Sequence, residues 1–361
     1  MLVRQVDPPA YTPPYDHALC AALAAEGAQV ELVTAPFRHG TRPDPDGYEL
    51  IESFHRIGGP MPVKLAQHPF DMLRLRRMPP ADVTHFQWLP LQAVDRHLLP
   101  GGPTVLTAHD VIPREPRPGQ LGALAKTYSA VDAVVVHSRH GAGLLQKTLG
   151  VARERVHVIP HGVFDYLTRL PDAKPLPPEF AAVDKPVVLQ FGLMRPYKGI
   201  DLMLEAFTAA DPDAELWLVG APRMDTAPLK QLASDLGIAD RVRWLERFID
   251  DNEIAAFMQR ADVVALPYRQ IDQSGVLFTA LAFGKPILAS RVGGFGEIAD
   301  DHDALLAVEP DLTSLARGLN ELLGGSARRD ELATAASALA TGEFSWRAIA
   351  QKTLALYETL V

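Results

Sequence analysis

Short apolar, β-branched runs recur along this chain with amphipathic helical patterns between them, and that alternation leaves few folds open. Runs at residues 2–6, 30–34, 83–86, 104–108, 133–137 and 156–159 read as strands, with helices such as 16–26 and 141–149 in the gaps. Strands alternating with helices in this way form a parallel sheet covered on both faces. The rhythm breaks at the proline-rich stretch 168–186, which reads as a linker. It then restarts with strands at 187–191, 215–219, 242–245, 263–266, 286–289 and 305–308, and helices at 312–323, 328–340 and 346–360 close the chain. The expected fold is α/β, with two Rossmann-like doubly wound domains, 1–170 and 187–345, joined by a linker at 171–186. Their ligand site is expected in a cleft where the carboxyl ends of both sheets face each other.

Length supports two domains, since 361 residues exceed the usual size of one. The hydrophobic share of 47% and charged share of 22% are those of an ordinary soluble globular protein. No apolar run reaches membrane-spanning length, and the N-terminus passes straight into polar, proline-rich sequence, so neither a span nor a signal peptide is read. The single cysteine, Cys20, rules out an internal disulfide and makes a reducing cytoplasm the expected compartment. The net charge of −9 is one-sided: 18 Lys and Arg balance 18 Asp and Glu up to residue 180, leaving 17 against 26 beyond it. Neither half is basic enough to suggest nucleic acid as a partner.

Two stretches carry chemistry on their own residues. "VVLQFGLMRPYKGIDLMLEAF" places Gly192, Arg195 and Lys198 in the loop between a strand's carboxyl end and a helix. The fork of donors on Arg195 and the point charge of Lys198 suit a diphosphate. The plainer alternative is a solvated loop with a lysine at a helix entry. "DQSGVLFTALAFGKP" starts a helix at Ser274-Gly275-Val276 after the strand 263–266, with no charged side chain between Gln273 and Phe283. Free amides at that helix start would receive phosphate oxygens, and Gly275 lets them approach closely. A serine N-cap on a buried helix is the competing reading.

With these residues in hand, "FGLMRPYKGID", "ADVVALPYRQIDQSGVLFTALAFGKPILASRVGG" and "FSWRAIAQKTLALYETL" resemble the glycosyl-transferase group 1 pattern of glycosyltransferase family 4. "VTHFQWLP", "TVLTAHD", "VVVHS" and "VIPHGV" support the resemblance more loosely in the first half. The resemblance implies the GT-B fold, with the last helix, 346–361, crossing back to the first domain. It implies a retaining transfer of sugar from a nucleotide-diphosphate sugar to a hydroxyl acceptor such as a glycan, a lipid-linked sugar or a small molecule. Arg195 and Lys198 would hold the donor diphosphate together with the amides opening the Ser274-Gly275-Val276 helix. Pro267, Tyr268 and the loop before Ser274 would border the sugar, and Phe248 and Ile249 would lie along the base. No cofactor beyond the nucleotide sugar is implied, and front-face attack, with the donor phosphate taking the acceptor proton, is the implied mechanism.

The chain departs from the family pattern in its glutamates. Two glutamates seven residues apart are common in the family. Counted back from Gly284, their places are held here by Thr279 and Ile271. Thr279 offers one hydroxyl where a carboxylate would accept two from a ribose diol, and Asp272 or Gln273 is a candidate for the first glutamate's role. His109 in "TAHD" resembles the acceptor-side histidine; a neutral imidazole there could bond a sugar hydroxyl or steady developing charge. A strand-end histidine bonded to backbone is the alternative. His137 and His161 also follow strands and read as structural, His161 being the better acceptor candidate because Gly162 opens space beside it. In the first loop Tyr15 or Asp16 could touch donor or acceptor, although Asp16 also suits a helix N-terminus. Gln87 and Trp88 could form a sugar platform, or simply pack.

Asp44-Pro45-Asp46 and Asp211-Pro212-Asp213 match an Asp-x-Asp metal pattern but read as proline turns, and no essential metal is expected. Residues 70–80, from Phe70 to Pro80, mix apolar and basic side chains and could lie on an anionic membrane at its inner face; a solvated helix is the alternative. Two other functions stay open: a GT-B-like nucleotide-sugar epimerase or hydrolase, and a nucleotide-sugar-binding paralogue without catalysis.

Overall fold

The β-branched runs form strands buried on both faces, as a parallel sheet beneath helices requires. A computed structural model describes residues 1–37, 44–113 and 116–361, and the chain divides into two units. Unit 1 is Met1–Gly162 with Phe344–Val361; unit 2 is Val163–Glu343.

Unit 1 holds β1 (Leu2–Asp7), β2 (Gln29–Thr34), β3 (Glu49–Glu52), β4 (Val83–Phe86), β5 (Thr104–Thr107), β6 (Ala133–Val136) and β7 (Val156–Val158), in the order β3-β2-β1-β4-β5-β6-β7. All pairs are parallel. Unit 2 holds β8 (Val187–Phe191), β9 (Glu215–Val219), β10 (Val242–Leu245), β11 (Val263–Leu266), β12 (Ile287–Ser290) and β13 (Leu306–Val308), in the order β10-β9-β8-β11-β12-β13. In both sheets the chain steps outward one way from the first strand, then reverses. The reversal puts β1 beside β4 and β8 beside β11, and it is at the carboxyl ends of such strands that doubly wound sheets form a ligand crevice.

β3 escapes the sequence reading. It is a four-residue edge strand, Glu-Leu-Ile-Glu, pairing only with β2 and partly exposed, so it carries neither a continuous apolar run nor an alternating one. The stretch expected as a linker, 171–186, is held in unit 2. Phe180, in the short helix Pro178–Ala181, is 2% exposed and meets the rings of Trp217 and Phe257 edge-on at 4.9 and 5.5 Å. The Lys174 amide donates to the Asn252 carbonyl at 2.7 Å. The prolines set the path of this segment while one aromatic anchors it.

The final helix, Trp346–Glu358, packs against the helix Pro13–Ala25. Ile349, Ala350, Leu356 and Tyr357 join Leu19, Cys20 and Leu23 in one core, and Arg347 and Gln351 donate to Glu26 on its rim.

Two close approaches shape the crevice end of unit 2. Gly199, just after Lys198, has φ +64°, and a Cβ there would sit 2.1 Å from the Pro267 carbonyl oxygen, so only glycine lets the loop after β8 lie on the loop after β11. Arg269 fastens the same crossing: its amide donates to Tyr197 O at 2.8 Å and its guanidinium forms a two-bond fork with Asp201. Gly293 (φ +54°) comes as close to the Ile271 carbonyl, fixing the loop that leads to Ser274.

At the crevice end of unit 1, Asp7 and Asp16 are both buried. Asp7 Oδ2 accepts the amides of Tyr11 and Thr12, whereas Asp16 has only the Thr12 hydroxyl and Asp7 beside it. Burial first, and then the Asp7 carboxylate, push Asp16 well above the usual carboxyl range. Asp16 is therefore the protonated member, facing the otherwise orphaned Oδ1 of Asp7.

Two substitutions test these constraints. A raised folded pKa contributes stability that is present below the ordinary value of 3.8 and lost as pH rises through the folded value. Asp16→Asn, uncharged at all pH, should remove that loss. Its melting temperature should fall less than the parent's between about pH 5 and about pH 8, by about 2 °C or more, and parallel profiles would refute the shared proton. Gly199→Ala should cost about 2–4 kcal/mol in urea unfolding. Gly143→Ala, in a helix where a Cβ meets nothing within 4 Å, should be neutral or stabilise by up to about 1 kcal/mol. Similar effects at the two glycines would rule out the crossing as the reason for Gly199.

Candidate functional site

In unit 2 the loop after β8 and the helix Gly275–Ala282 after β11 converge at the sheet's reversal. A Cβ on Gly192 would lie 3.0 Å from Lys198 Nζ and 3.1 Å from Val276 Cγ2, so these three residues, read from two separate motifs, share one spot. Lys198 is 6% exposed; its ammonium donates to the Phe191 carbonyl at 3.3 Å and lies 5.3 Å from the centre of the Tyr268 ring. Its backbone carbonyl accepts from Gln190 Nε2 at 2.9 Å, which orients the turn that presents the side chain. Arg195 is exposed; its carbonyl accepts the Lys198 amide at 3.0 Å, and its guanidinium makes no hydrogen bond or ion pair among the described residues.

The helix start leaves backbone donors open. Ser274 is the N-cap residue in extended conformation, yet its side chain caps nothing and lies 3.5 Å from the buried Tyr268 hydroxyl. The amides of Gly275 and Val276 have no acceptor among the described residues. Two unmet donors at the positive end of a helix, next to a lysine, are chemistry that suits phosphate oxygens.

Thr279 and Ile271 are both turned inward. Thr279 is 6% exposed and donates its hydroxyl to Gly275 O at 2.9 Å, so only its acceptor capacity remains; Ile271 is 5% exposed. Asp272 and Gln273 are half-buried, and the Asp272 carbonyl accepts the Gly294 amide at 3.2 Å. After β10, Phe248 is 62% exposed whereas Ile249 is buried, so of the two only the Phe248 ring has a free face. Arg247 holds this turn through its carbonyl bond to Phe248 and a fork with Glu253.

Unit 1 gathers four imidazoles. His109, His137 and His161 follow β5, β6 and β7 and close around the Tyr15 ring, with ring centres 4.8, 5.6 and 4.8 Å from it. Tyr15 and Asp16, expected as ligand contacts, are 3% and 2% exposed, because the helix Pro13–Ala25 turns both into the interior. The space expected beside Gly162 is filled: a Cβ there would strike the Trp346 indole at 2.6 Å. His161 is accordingly packed between Tyr15 and Trp346, its Nδ1 on the Gly162 carbonyl.

His109 has both ring nitrogens engaged, Nε2 at 3.0 Å from Gln87 Oε1 and Nδ1 at 3.3 Å from His137 Nε2. The Ile159 carbonyl, 3.0 Å from His137 Nδ1, can only accept, which puts the His137 proton there and makes Nε2 the acceptor of His109 Nδ1–H. Burial, and then His137, His161 and His85, push His109 well below the usual histidine range; burial takes His137 to about 4 and His85 to about 3. A neutral His109 then needs the Gln87 amide turned to offer its NH2, and the Gln5 amide turned with it so that Gln5 donates to Gln87 and accepts from the Tyr357 hydroxyl. Beyond Gln87 the chain of bonds runs through Gln5 and the Tyr357 hydroxyl to His85 and Thr107, so the last helix reaches the imidazoles. Trp88 stacks on His109 at 5.2 Å and 22°, its indole N–H on Thr12, and exposed Tyr11 stands edge-on to it at 5.5 Å. Gln87, read with Trp88 as a sugar platform or as packing, is a fully buried amide that links His109 to Gln5.

The segment 70–80 presents less apolar surface than its composition suggests. Met72 and Leu75 are core residues, while Phe70 is 71% exposed and Arg74, Arg76 and Arg77 are exposed beside it. Asp211 accepts the Asp213 amide in a local turn, and Asp44 and Asp46 are exposed. Among the described residues no cluster of three metal-binding side chains occurs, and no helix is long and apolar enough to cross a membrane.

Comparison with known proteins accounts for both units. Residues 15–164 match the model described as Glycosyltransferase Family 4, and residues 185–324 the model described as Glycosyl transferases group 1. The D-inositol 3-phosphate glycosyltransferase of Xylanimonas cellulosilytica is 30% identical over 94% of this chain and 89% of its own length. The alpha-maltose-1-phosphate synthase of Mycolicibacterium smegmatis is 30% identical over 72% of this chain and 74% of its own. Among solved structures, sucrose-phosphate synthase from Thermosynechococcus elongatus superposes with a TM-score of 0.77 at 20% identity, covering 100% of this chain and 99% of that one. The Anabaena protein HepE in complex with UDP-glucose gives 0.72 at 19%, covering 100% of each. The fold is GT-B, and the chain belongs to glycosyltransferase family 4, as a glycosyltransferase that uses a nucleotide-sugar donor.

Proposed function

We propose that this glycosyltransferase retains the anomeric configuration of its donor and grips the donor diphosphate in unit 2. The observation that carries the reading is the meeting of Gly192, Lys198 and Val276 at one spot, with two unmet amides beside it. Lys198 and the amides of Gly275 and Val276 neutralise the inner phosphate, and the free guanidinium of Arg195 takes the outer one. Phe248 offers its exposed ring to the base. Charge grows on the leaving diphosphate as the sugar departs, so these donors act most strongly in the transition state.

The bond from the anomeric carbon to the phosphate oxygen breaks, and a bond to the acceptor oxygen forms on the same face. The acceptor proton passes to the departing phosphate oxygen. No enzymic base is required by that balance, in keeping with Thr279 and Ile271 at the places of the family's glutamates. The reaction proceeds without a bound metal, the cations and amides supplying the charge that a divalent ion would bring. His109, with both nitrogens engaged, serves as a wall of the acceptor side through its ring, stacked under Trp88. The acceptor carries a hydroxyl, and where it is membrane-borne, Phe70 with its neighbouring arginines makes the peripheral contact.

Nucleotide release from UDP-, GDP-, ADP- and dTDP-sugars identifies the donor. Arg195→Ala and Lys198→Ala should each lower kcat by about 100-fold, and the double variant should lose donor binding; a double variant that still binds would refute the assignment. Proton NMR of the product should show the donor's anomeric configuration, and inversion would exclude front-face transfer. Activity should survive EDTA. Sedimentation with anionic vesicles should fall for Phe70→Ser, and equal sedimentation of parent and variant would remove the membrane contact.

A further inference from the structure

A line of hydrogen bonds crosses the interior of unit 1, running Ile159–His137–His109–Gln87–Gln5–Tyr357–His85–Thr107. Its sense is set at one end, because the Ile159 carbonyl can only accept. Burial favours the neutral form of all three imidazoles, so every donor along the line points toward that carbonyl. Thr107 O–H gives to His85 Nε2 at 2.7 Å, and His85 Nδ1–H to the Tyr357 oxygen at 2.6 Å. Tyr357 O–H gives to the Gln5 amide at 2.8 Å, Gln5 to Gln87 at 2.8 Å, and Gln87 to His109 Nε2 at 3.0 Å. The Tyr357 ring is 0% exposed and stands edge-on to His85 at 5.7 Å, and burial keeps its hydroxyl protonated.

We propose that Tyr357, on the final helix Trp346–Glu358, is a positioning residue for glycosyl transfer that holds the ring and the tautomer of His109 through Gln5 and Gln87. The proposal rests on the reading of His109 as a wall of the acceptor side and names what fixes that wall.

The hydroxyl matters because it makes the line hard to reverse. Turning the Gln87 amide alone would set its NH2 against the NH2 of Gln5. Turning both amides would aim the Gln5 NH2 at the Tyr357 oxygen, and Tyr357 O–H would have to swing to His85 Nδ1, which already carries a proton. Reversal therefore also requires the His85 proton to move to Nε2. Without the hydroxyl, only the two amides need turn. Gln87 Oε1 can then face His109 and draw its proton to Nε2, at the expense of the bond to His137. Each bond in such a line also polarises the next, so a break is felt beyond the broken pair. The His109 ring, 5.2 Å from Trp88 and nearly parallel to it, then loses its fixed setting.

The test uses the full chain labelled with 15N at histidine, with His109 assigned by the signal lost in His109→Gln. In the parent, His109 should show a protonated Nδ1 and an unprotonated Nε2; the opposite tautomer would overturn the proposal whatever the variants do. Activity is nucleotide release from whichever of UDP-, GDP-, ADP- and dTDP-glucose the parent turns over fastest. Tyr357→Phe should move the His85 proton to Nε2 and bring His109 to a mixture of tautomers. It should lower kcat about tenfold, the worth of one hydrogen bond, with KM for the donor unchanged. Thr353→Val removes another buried hydroxyl of the same helix, one bonded to Ile349 within it, and should leave kcat and the His109 signals as they are. Gln87→Met should lower kcat at least as far, and Tyr357→Phe added to it should lower it no further. If Tyr357→Phe does not fold, Gln5→Met breaks the same line one bond nearer His109 and takes its place. Multiplying losses in the double variant, an equal loss in Thr353→Val, or His109 signals unmoved by Tyr357→Phe would overturn the assignment. Tautomers that shift while kcat stays constant would overturn the acceptor-side role of His109, and the assignment with it. No nucleotide release by the parent would count against the donor reading, while the tautomers still decide the line of bonds.

Discussion

The proposed donor end of unit 2 depends on one close approach, the backbone of Gly199 lying on the carbonyl of Pro267. Parallel strands leave their following loops without mutual hydrogen bonds, so something else must bring the loop after β8 to the loop after β11. A residue without a side chain does so, and the Arg269–Asp201 fork holds the result. Lys198 then points along the sheet's end toward Gly192 and the start of the helix Gly275–Ala282 rather than into solvent. The exposed fork by itself contributes little, because water and salt screen it. Its value is in fixing a backbone crossing that a buried ammonium requires.

Unit 1 meets a different constraint. Histidines follow three of its strands, and burying that many imidazoles would be costly if they were charged or unbonded. Burial favours their neutral forms, and bonds to Gln87, the Ile159 carbonyl and the Gly162 carbonyl engage their nitrogens. The last helix is part of this arrangement, since Trp346 fills the space over Gly162 and Tyr357 closes the polar chain. A ring so bonded presents a rigid face to a ligand rather than a mobile proton. That rigidity gives Trp88, stacked on His109, a fixed support.

Much of the architecture was legible because parallel strands bury both faces and read as apolar runs. Strands β4, β8, β9, β10 and β11 fall on the expected residues, while β3, short and charged at an edge, has no such run. Arg195, Lys198 and the Ser274 helix start were readable because strand ends, glycines and cations lie close together in sequence. The inward turn of Tyr15 and Asp16, the filling of the Gly162 space and the loss of Met72 and Leu75 from the surface were not. Each depends on which face of a helix meets a neighbour, and several of those neighbours lie more than 100 residues away.

By itself the sequence determined two α/β units, the Rossmann order implied by their rhythm, and a phosphate-suited pair of loops in the second. Local spacing carries those features, since strand, loop and helix start are consecutive in the chain. Tertiary structure alone decided that Gly192, Lys198 and Val276 share a spot and that His109 is bonded at both nitrogens. Those outcomes belong to packing between distant segments, where one filled space or one accepted hydrogen bond determines whether a polar side chain is part of the core or available to a ligand.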